Sequence, residues 1–168
     1  MIVTSGAQLM SVQICHSNDV YIEPHTILNM SGITNDQTIS YGSTDKFGIV
    51  RTDNTTGGNY GIIAFLGTGN APVTKNDYCL NKTLINGVDV NTIIKCVSAR
   101  STPLRSPKGI SYIFTFFNSG EAAIEIKEIC IAMRFNASQK FMIARKVIPT
   151  RLVQAGETIT FSYELNLY

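Results

Sequence analysis

The sequence predicts an all-β fold: a single antiparallel β-sandwich, jelly-roll-like or Ig-like, of about eight to ten strands, with all 168 residues in one domain. Three observations carry this. Residues Glu157 to Tyr168 alternate on a two-residue beat, with Ile159, Phe161, Tyr163, Leu165 and Leu167 on one side and Thr158, Thr160, Ser162, Glu164 and Asn166 on the other. That is a strand with one apolar and one wet face. Strand-like runs separated by turn residues recur along the whole chain, and no long apolar stripe of helical period competes with them.

The first runs are Val20 to Leu28, interrupted by Pro24, then Gln37 to Tyr41, then Phe47 to Thr52 before the turn-rich stretch Asp53 to Asn59. Tyr60 to Leu66 runs into Gly67-Thr68-Gly69-Asn70, and Asn91 to Ser98 follows. Residues 98–109 hold Arg100, Arg105, Lys108, Pro103 and Pro107. Two prolines make a poor interior strand, so this stretch reads as an exposed basic loop.

Tyr112, Phe114 and Phe116 then share one face and Ile113, Thr115 and Phe117 the other, which predicts a strand buried on both sides. It ends at the turn Asn118-Ser119-Gly120-Glu121. Ile124 and Ile126 alternate with Glu125 and Lys127, but the apolar beat resumes at Ile129, Ile131, Met133 and Phe135, one position out of phase. A one-residue slip exchanges the faces, so a β-bulge is expected near Lys127-Glu128. Lys140 to Ile148 is the next strand, ended by Pro149, and Gln154 to Glu157 turns into the last. Should that last strand lie at a sheet edge, its unpaired backbone groups would offer a docking site.

Charged residues make up only 15% of the chain, against about 25% in ordinary domains. Ser, Thr and Asn therefore supply much of the polar surface, which suits a protein packed among partners. The net charge of +2 hides an asymmetry: residues 1–94 carry four basic and seven acidic side chains, and residues 95–151 carry ten and three. No block of five like charges occurs, so dispersed basic side chains are favoured over a nucleic-acid patch. The chain shows no cationic leader and no apolar run near the roughly 18 residues of a membrane helix. Synthesis in the cytoplasm without a signal peptide, and no membrane partner, are expected.

Catalytic chemistry is poorly supplied. His16 and His25 are the only imidazoles, neither in a recognisable catalytic setting, and Glu125 and Glu128 are badly spaced for paired-carboxylate work. Cys15, Cys79, Cys96 and Cys130 lack close metal-ligand spacing, and Cys96 and Cys130 read as small core residues. No catalytic residue, metal or cofactor is expected. The segment at Gly67 and Gly69 lacks the third glycine, the lysine and the helix of a phosphate loop. These glycines are read as a tight turn needing positive φ, with Asp77 and Tyr78 fixing the loop that follows. Four Asn-X-Ser/Thr triplets, from Asn29, Asn54, Asn81 and Asn136, read as ordinary surface asparagines.

Gly67-Thr68-Gly69, Val73-Thr74 and Asp77-Tyr78-Cys79-Leu80 together resemble a segment of small virion proteins from tailed bacteriophages. The later order resembles their closing strands: the Asn118-Ser119-Gly120 turn, Ile126-Lys127-Glu128-Ile129, Arg145, Pro149, and Gly156 to Tyr163. The likeness spans about residues 60–168 and leaves 1–59 unmatched. It implies a β-sandwich that decorates a phage head, anchors a fibre or sits near the tail, and it carries over no catalytic residue.

The reading that results is a non-enzymatic virion structural protein of the capsid decoration or head-fibre type. Its expected partners are capsid, fibre or connector subunits and further copies of itself. The alternative is a carbohydrate- or receptor-binding β module near a tail tip. Candidate interaction residues are Arg100, Arg105, Lys108, Thr158, Thr160 and Ser162.

Overall fold

The computed structural model describes residues 1–3, 7, 21–22, 28–34, 39–40, 61–81, 83–84, 94–105, 108–134 and 140–166. Nine strands lie among them: β1 (Tyr21–Ile22), β2 (Ile39–Ser40), β3 (Gly61–Gly67), β4 (Thr83–Leu84), β5 (Ile94–Arg105), β6 (Lys108–Asn118), β7 (Ile124–Arg134), β8 (Lys140–Val153) and β9 (Thr158–Asn166). They build a four-stranded sheet in the order β4-β3-β7-β8, a three-stranded sheet β5-β6-β9 and a small β1-β2 pair. Every pairing is antiparallel. The fold is all-β and sandwich-like, as the alternation predicts.

One hydrophobic core draws on both larger sheets. β6 contributes Tyr112, Phe114 and Phe116, β9 contributes Tyr163 and Leu165, and the facing sheet contributes Ile62, Leu66, Ile126, Ile131 and Ile143. Each large apolar side chain so buried stabilises by about 1.5–3 kcal/mol relative to exposure. Phe116 meets Phe161 edge to face at 6.3 Å, tying β6 to β9.

The expected basic loop at 98–109 is instead part of a long hairpin, in which β5 and β6 pair from Ile94↔Asn118 to Arg105↔Lys108. Pro103 sits opposite Ile110. It is tolerated because β5 is an outside strand of its sheet, where one side needs no ladder donor. β6 is fully buried on its inner face, whereas on its outer face Ile113, Thr115 and Phe117 are only half-buried and Ser111 alone is buried. Nor does Pro149 end β8, which continues to Val153. The ladder steps from Ile126↔Arg151 to Glu128↔Val147, so the missing proline donor falls in a stretch already out of register. The register shift expected near Lys127-Glu128 is this same irregularity. The runs at Phe47 to Thr52 and Asp53 to Asn59, with Cys15, His16, His25, Asn54, Phe135 and Asn136, lie outside the described residues.

Asn118 joins the two sheets. The chain passes from one sheet to the other between β6 and β7, and returns between β8 and β9. Both crossings meet at this fully buried side chain. Its Nδ2 donates to the carbonyls of Ala122 at 2.8 Å, Val153 at 3.1 Å and Gln154 at 3.2 Å, and its Oδ1 accepts from the Gly120 amide at 3.0 Å. Its backbone exchanges bonds with Glu157 and Gly156, the latter at φ 76° in the return turn. Asn118→Ala strands several of these groups and should cost about 2–4 kcal/mol in urea unfolding. A loss below about 0.5 kcal/mol would show that the crossings are held by other means.

Candidate functional site

The two larger sheets differ in what lies on their outer faces. Over the four-stranded sheet the segment from Gly69 to Asn81 forms a roof, held by a buried charge cluster. Glu128, on β7, is fully buried and Arg145, on β8, nearly so. Two register shifts bring them to one face. The shift at Lys127 moves Glu128 out of the main core, and a second one, between Ile131 and Ala132, leaves Ile143 as an extra residue on β8. Ile143 and Ala144 consequently both pack into the core. Arg145 then falls opposite Cys130 on the outer face, diagonal to Glu128.

All three guanidinium nitrogens of Arg145 have partners. Nε and Nη2 bond Glu128 Oε2 at 2.8 and 2.7 Å, Nη1 bonds Asp77 Oδ2 at 2.8 Å and the Pro72 carbonyl at 3.4 Å, and Nη2 also reaches the Ala71 carbonyl at 3.0 Å. Glu128 in turn accepts from the Gly69 amide at 3.1 Å and the Asn81 amide at 3.2 Å, gripping both ends of the roof. Burial works against the Arg145 charge, but its bonds to Asp77 and Glu128 more than reverse this and hold it protonated. Burial likewise pushes the Asp77 carboxyl up. The Thr74 hydroxyl, Arg145 and the Thr74 amide outweigh burial and leave it below the ordinary carboxylate range.

Gly67 closes β3, paired with Glu128 and Thr83. Neither Gly67 nor Gly69 has the positive φ expected of it; that conformation occurs at Gly32, Gly61 and Gly156. What Gly69 requires is space, because a Cβ there would lie 2.5 Å from Glu128 Oε1 and 2.6 Å from Asn81 Cβ. Asp77 closes its own turn by accepting from Thr74 N at 3.0 Å and Thr74 Oγ1 at 2.6 Å. Tyr78 lies against the turn at Gly32. That turn is closed by Asn29, which is buried rather than on the surface, its Oδ1 accepting from the amides of Ser31 and Ile33. Under the roof Val3, Leu80, Cys130 and Met142 make a second, smaller core.

The three-stranded sheet is open by comparison. Register places Arg100, Ile113 and Ser162 in one row of its outer face, and Ser98, Thr115 and Thr160 in the next. Thr158, Thr160, Ser162, Glu164, Ser98 and Arg100 are exposed, while Ile113 and Phe117 lie half-buried along the centre. Thr115 and Thr160 hydroxyls meet at 3.0 Å, and Ser111 and Ser162 at 3.2 Å. Four of the sequence candidates, Arg100, Thr158, Thr160 and Ser162, thus share a surface. Arg105 and Lys108 pair through their backbones at the far end of the hairpin.

Neither Cys79 nor Cys130 has the lowered pKa of an activated nucleophile: burial pushes both thiols up. Among the described residues no cluster of His, Cys, Asp and Glu could hold a metal, and no helix is long and apolar enough to cross a membrane. Comparison of the chain with known protein families, curated proteins and solved structures finds no match.

Three outcomes follow for the charge cluster. Arg145→Ala leaves two buried or half-buried carboxylates uncompensated and should cost about 3–5 kcal/mol in denaturant unfolding. Gly69→Ala should cost about 1–3 kcal/mol by forcing the roof off Glu128. Because the folded pKa of Asp77 is depressed, its contribution is complete above the unfolded value near 4 and is lost as pH falls through the lower folded value. Asp77→Asn should therefore flatten the fall in stability on acidification below about pH 4; an unchanged pH profile would remove Asp77 from the account.

Proposed function

We propose that this protein is a non-enzymatic structural component of a tailed-phage virion, a capsid decoration or head-fibre-type subunit. It binds neighbouring virion subunits through the outer face of β5-β6-β9. The observation that carries the binding surface is the asymmetry between the sheets. The chain roofs its four-stranded sheet with its own segment, yet leaves on the other a run of Ser and Thr hydroxyls around half-buried Ile113 and Phe117.

The virion setting is supported by the resemblance at residues 67–80 and 118–163. Low charge on the open face suits a protein used in many copies, since neighbouring copies repel little. Many weak polar contacts then suffice through multivalency. The residues that carry the resemblance, Gly69, Asp77, Glu128 and Arg145, meet in the charge cluster and serve the fold, so the contact chemistry rests on the open face.

Quantitative mass spectrometry of purified particles should find the chain in stoichiometric copies, and its absence from them would refute the virion setting. Arg100→Glu combined with Thr158→Glu, both at exposed positions, should lower particle occupancy about threefold to tenfold while leaving the fold intact. Retention on a glycan array, competed by receptor-bearing cells, would replace this reading with that of an adhesin.

A further inference from the structure

Four strands bound the two larger sheets, and three of their outer edges are blunted. β4 is two residues long. β8 is covered along 143–145 by the N-terminal segment, with Ile2 bridged to Ala144, the Val3 amide bonded to the Ile143 carbonyl at 2.9 Å and the Arg145 amide to the Met1 carbonyl at 3.1 Å. It is further disrupted by two register shifts and Pro149. β5 carries Pro103 and an irregularity at Val97. These are the devices by which sheet edges avoid pairing with other chains.

Among the described residues β9 shows none of them, although Met1 and Lys146 line a cavity of about 490 Å³ together with its Ser162, Tyr163 and Glu164. The strand pairs with β6 from Thr158 to Asn166 without a register break. It contains no proline, glycine or lysine, and Glu164 is its sole charge. Among the described residues nothing pairs with its other edge. Its inward-facing Ile159 and Phe161 are only half-buried although they pack on the core.

We infer that this edge is a self-association site, where β9 pairs antiparallel with β9 of a second copy to make one six-stranded sheet, β5-β6-β9-β9-β6-β5. The inference deepens the assembly reading above and rests on it for its role in the particle. A two-fold axis normal to the sheet keeps inner residues opposite inner ones. Centred on Phe161, it sets Phe161 against its own copy, Ile159 against Tyr163, Thr160 against Ser162, and Thr158 against Glu164. Apolar positions then meet apolar ones, polar positions meet polar ones, and the half-exposed Ile159 and Phe161 gain cover. The two Glu164 carboxylates lie six residues apart along the strand, roughly 20 Å, well beyond the Debye length of about 8 Å. A second copy is thus an occupant that the strand's own charge does not oppose.

The register makes a charge-swap test available. In Thr160→Lys/Ser162→Lys, each lysine of one copy faces a lysine of the other. In Thr160→Lys/Ser162→Glu, each lysine faces a glutamate. Sedimentation velocity of the full chain over a concentration series should show a monomer–dimer equilibrium for the wild type. The double-lysine variant should weaken it about tenfold or more, and the lysine–glutamate variant should restore it to within about threefold.

Amide exchange of the wild type provides a reading independent of any variant: protection along Thr158–Asn166 should rise with protein concentration. A wild-type chain that stays monomeric throughout the series, a double-lysine variant that dimerises as tightly as wild type, or exchange along β9 that ignores concentration would each overturn the pairing. A dimer with the predicted charge pattern that is missing from particles would overturn the virion reading alone. A monomer found in particles would overturn the pairing alone.

Discussion

A guanidinium beneath a protein surface is tolerated when its nitrogens are nearly all hydrogen-bonded and paired, and this requirement at Arg145 ties the roof to the four-stranded sheet. Glu128, Asp77 and the carbonyls of Ala71 and Pro72 meet it. The desolvation of such a charge costs several kcal/mol, offset only by near-complete hydrogen bonding. Each partner imposes a condition of its own. Glu128 reaches the site because β7 slips register at Lys127, Arg145 because β8 carries an extra residue at Ile143, and Gly69 because any side chain would collide with Glu128. Roof, bulges and glycine thus meet at one buried charge.

The cluster also determines what remains outside. With Gly69 to Asn81 pinned over the four-stranded sheet, the exposed hydroxyl-bearing positions of β9 and the Arg100 row of β5 lie on the opposite layer. Asn118 holds the layers together where the chain crosses between them, so the open face is presented by a scaffold fixed at its crossings and on its far side. The notion of a contact surface follows from this division between a layer roofed by residues 69–81 and one whose Arg100, Thr158, Thr160 and Ser162 are exposed.

What the sequence made legible was local. The alternation from Ile159 to Leu165, the inner aromatics Tyr112, Phe114 and Phe116, and the register slip at Lys127 all follow from period-two geometry, which neighbouring residues reveal. Pro103 and Pro149 misled because tolerance of proline depends on strand order and ladder register, properties of pairing between distant segments. Gly69 was recognisable as special but for the wrong reason, since φ can be guessed from turn chemistry while close approach by Glu128, 59 residues away, cannot. Asn118 reads in the sequence only as the start of a turn, and Arg145 only as part of a resemblance. Their partners are brought together by two bulges and two sheet crossings, none of which a single strand encodes.

On the proposed function, the exposed layer and not the roofed one meets neighbouring subunits. Hydrogen–deuterium exchange read by mass spectrometry, comparing the free chain with the chain in assembled particles, tests this most directly. Assembly is predicted to slow exchange across 158–166 and 98–101 and to leave 69–81 unchanged. Slowed exchange at 69–81, with β9 unaffected, would contradict it.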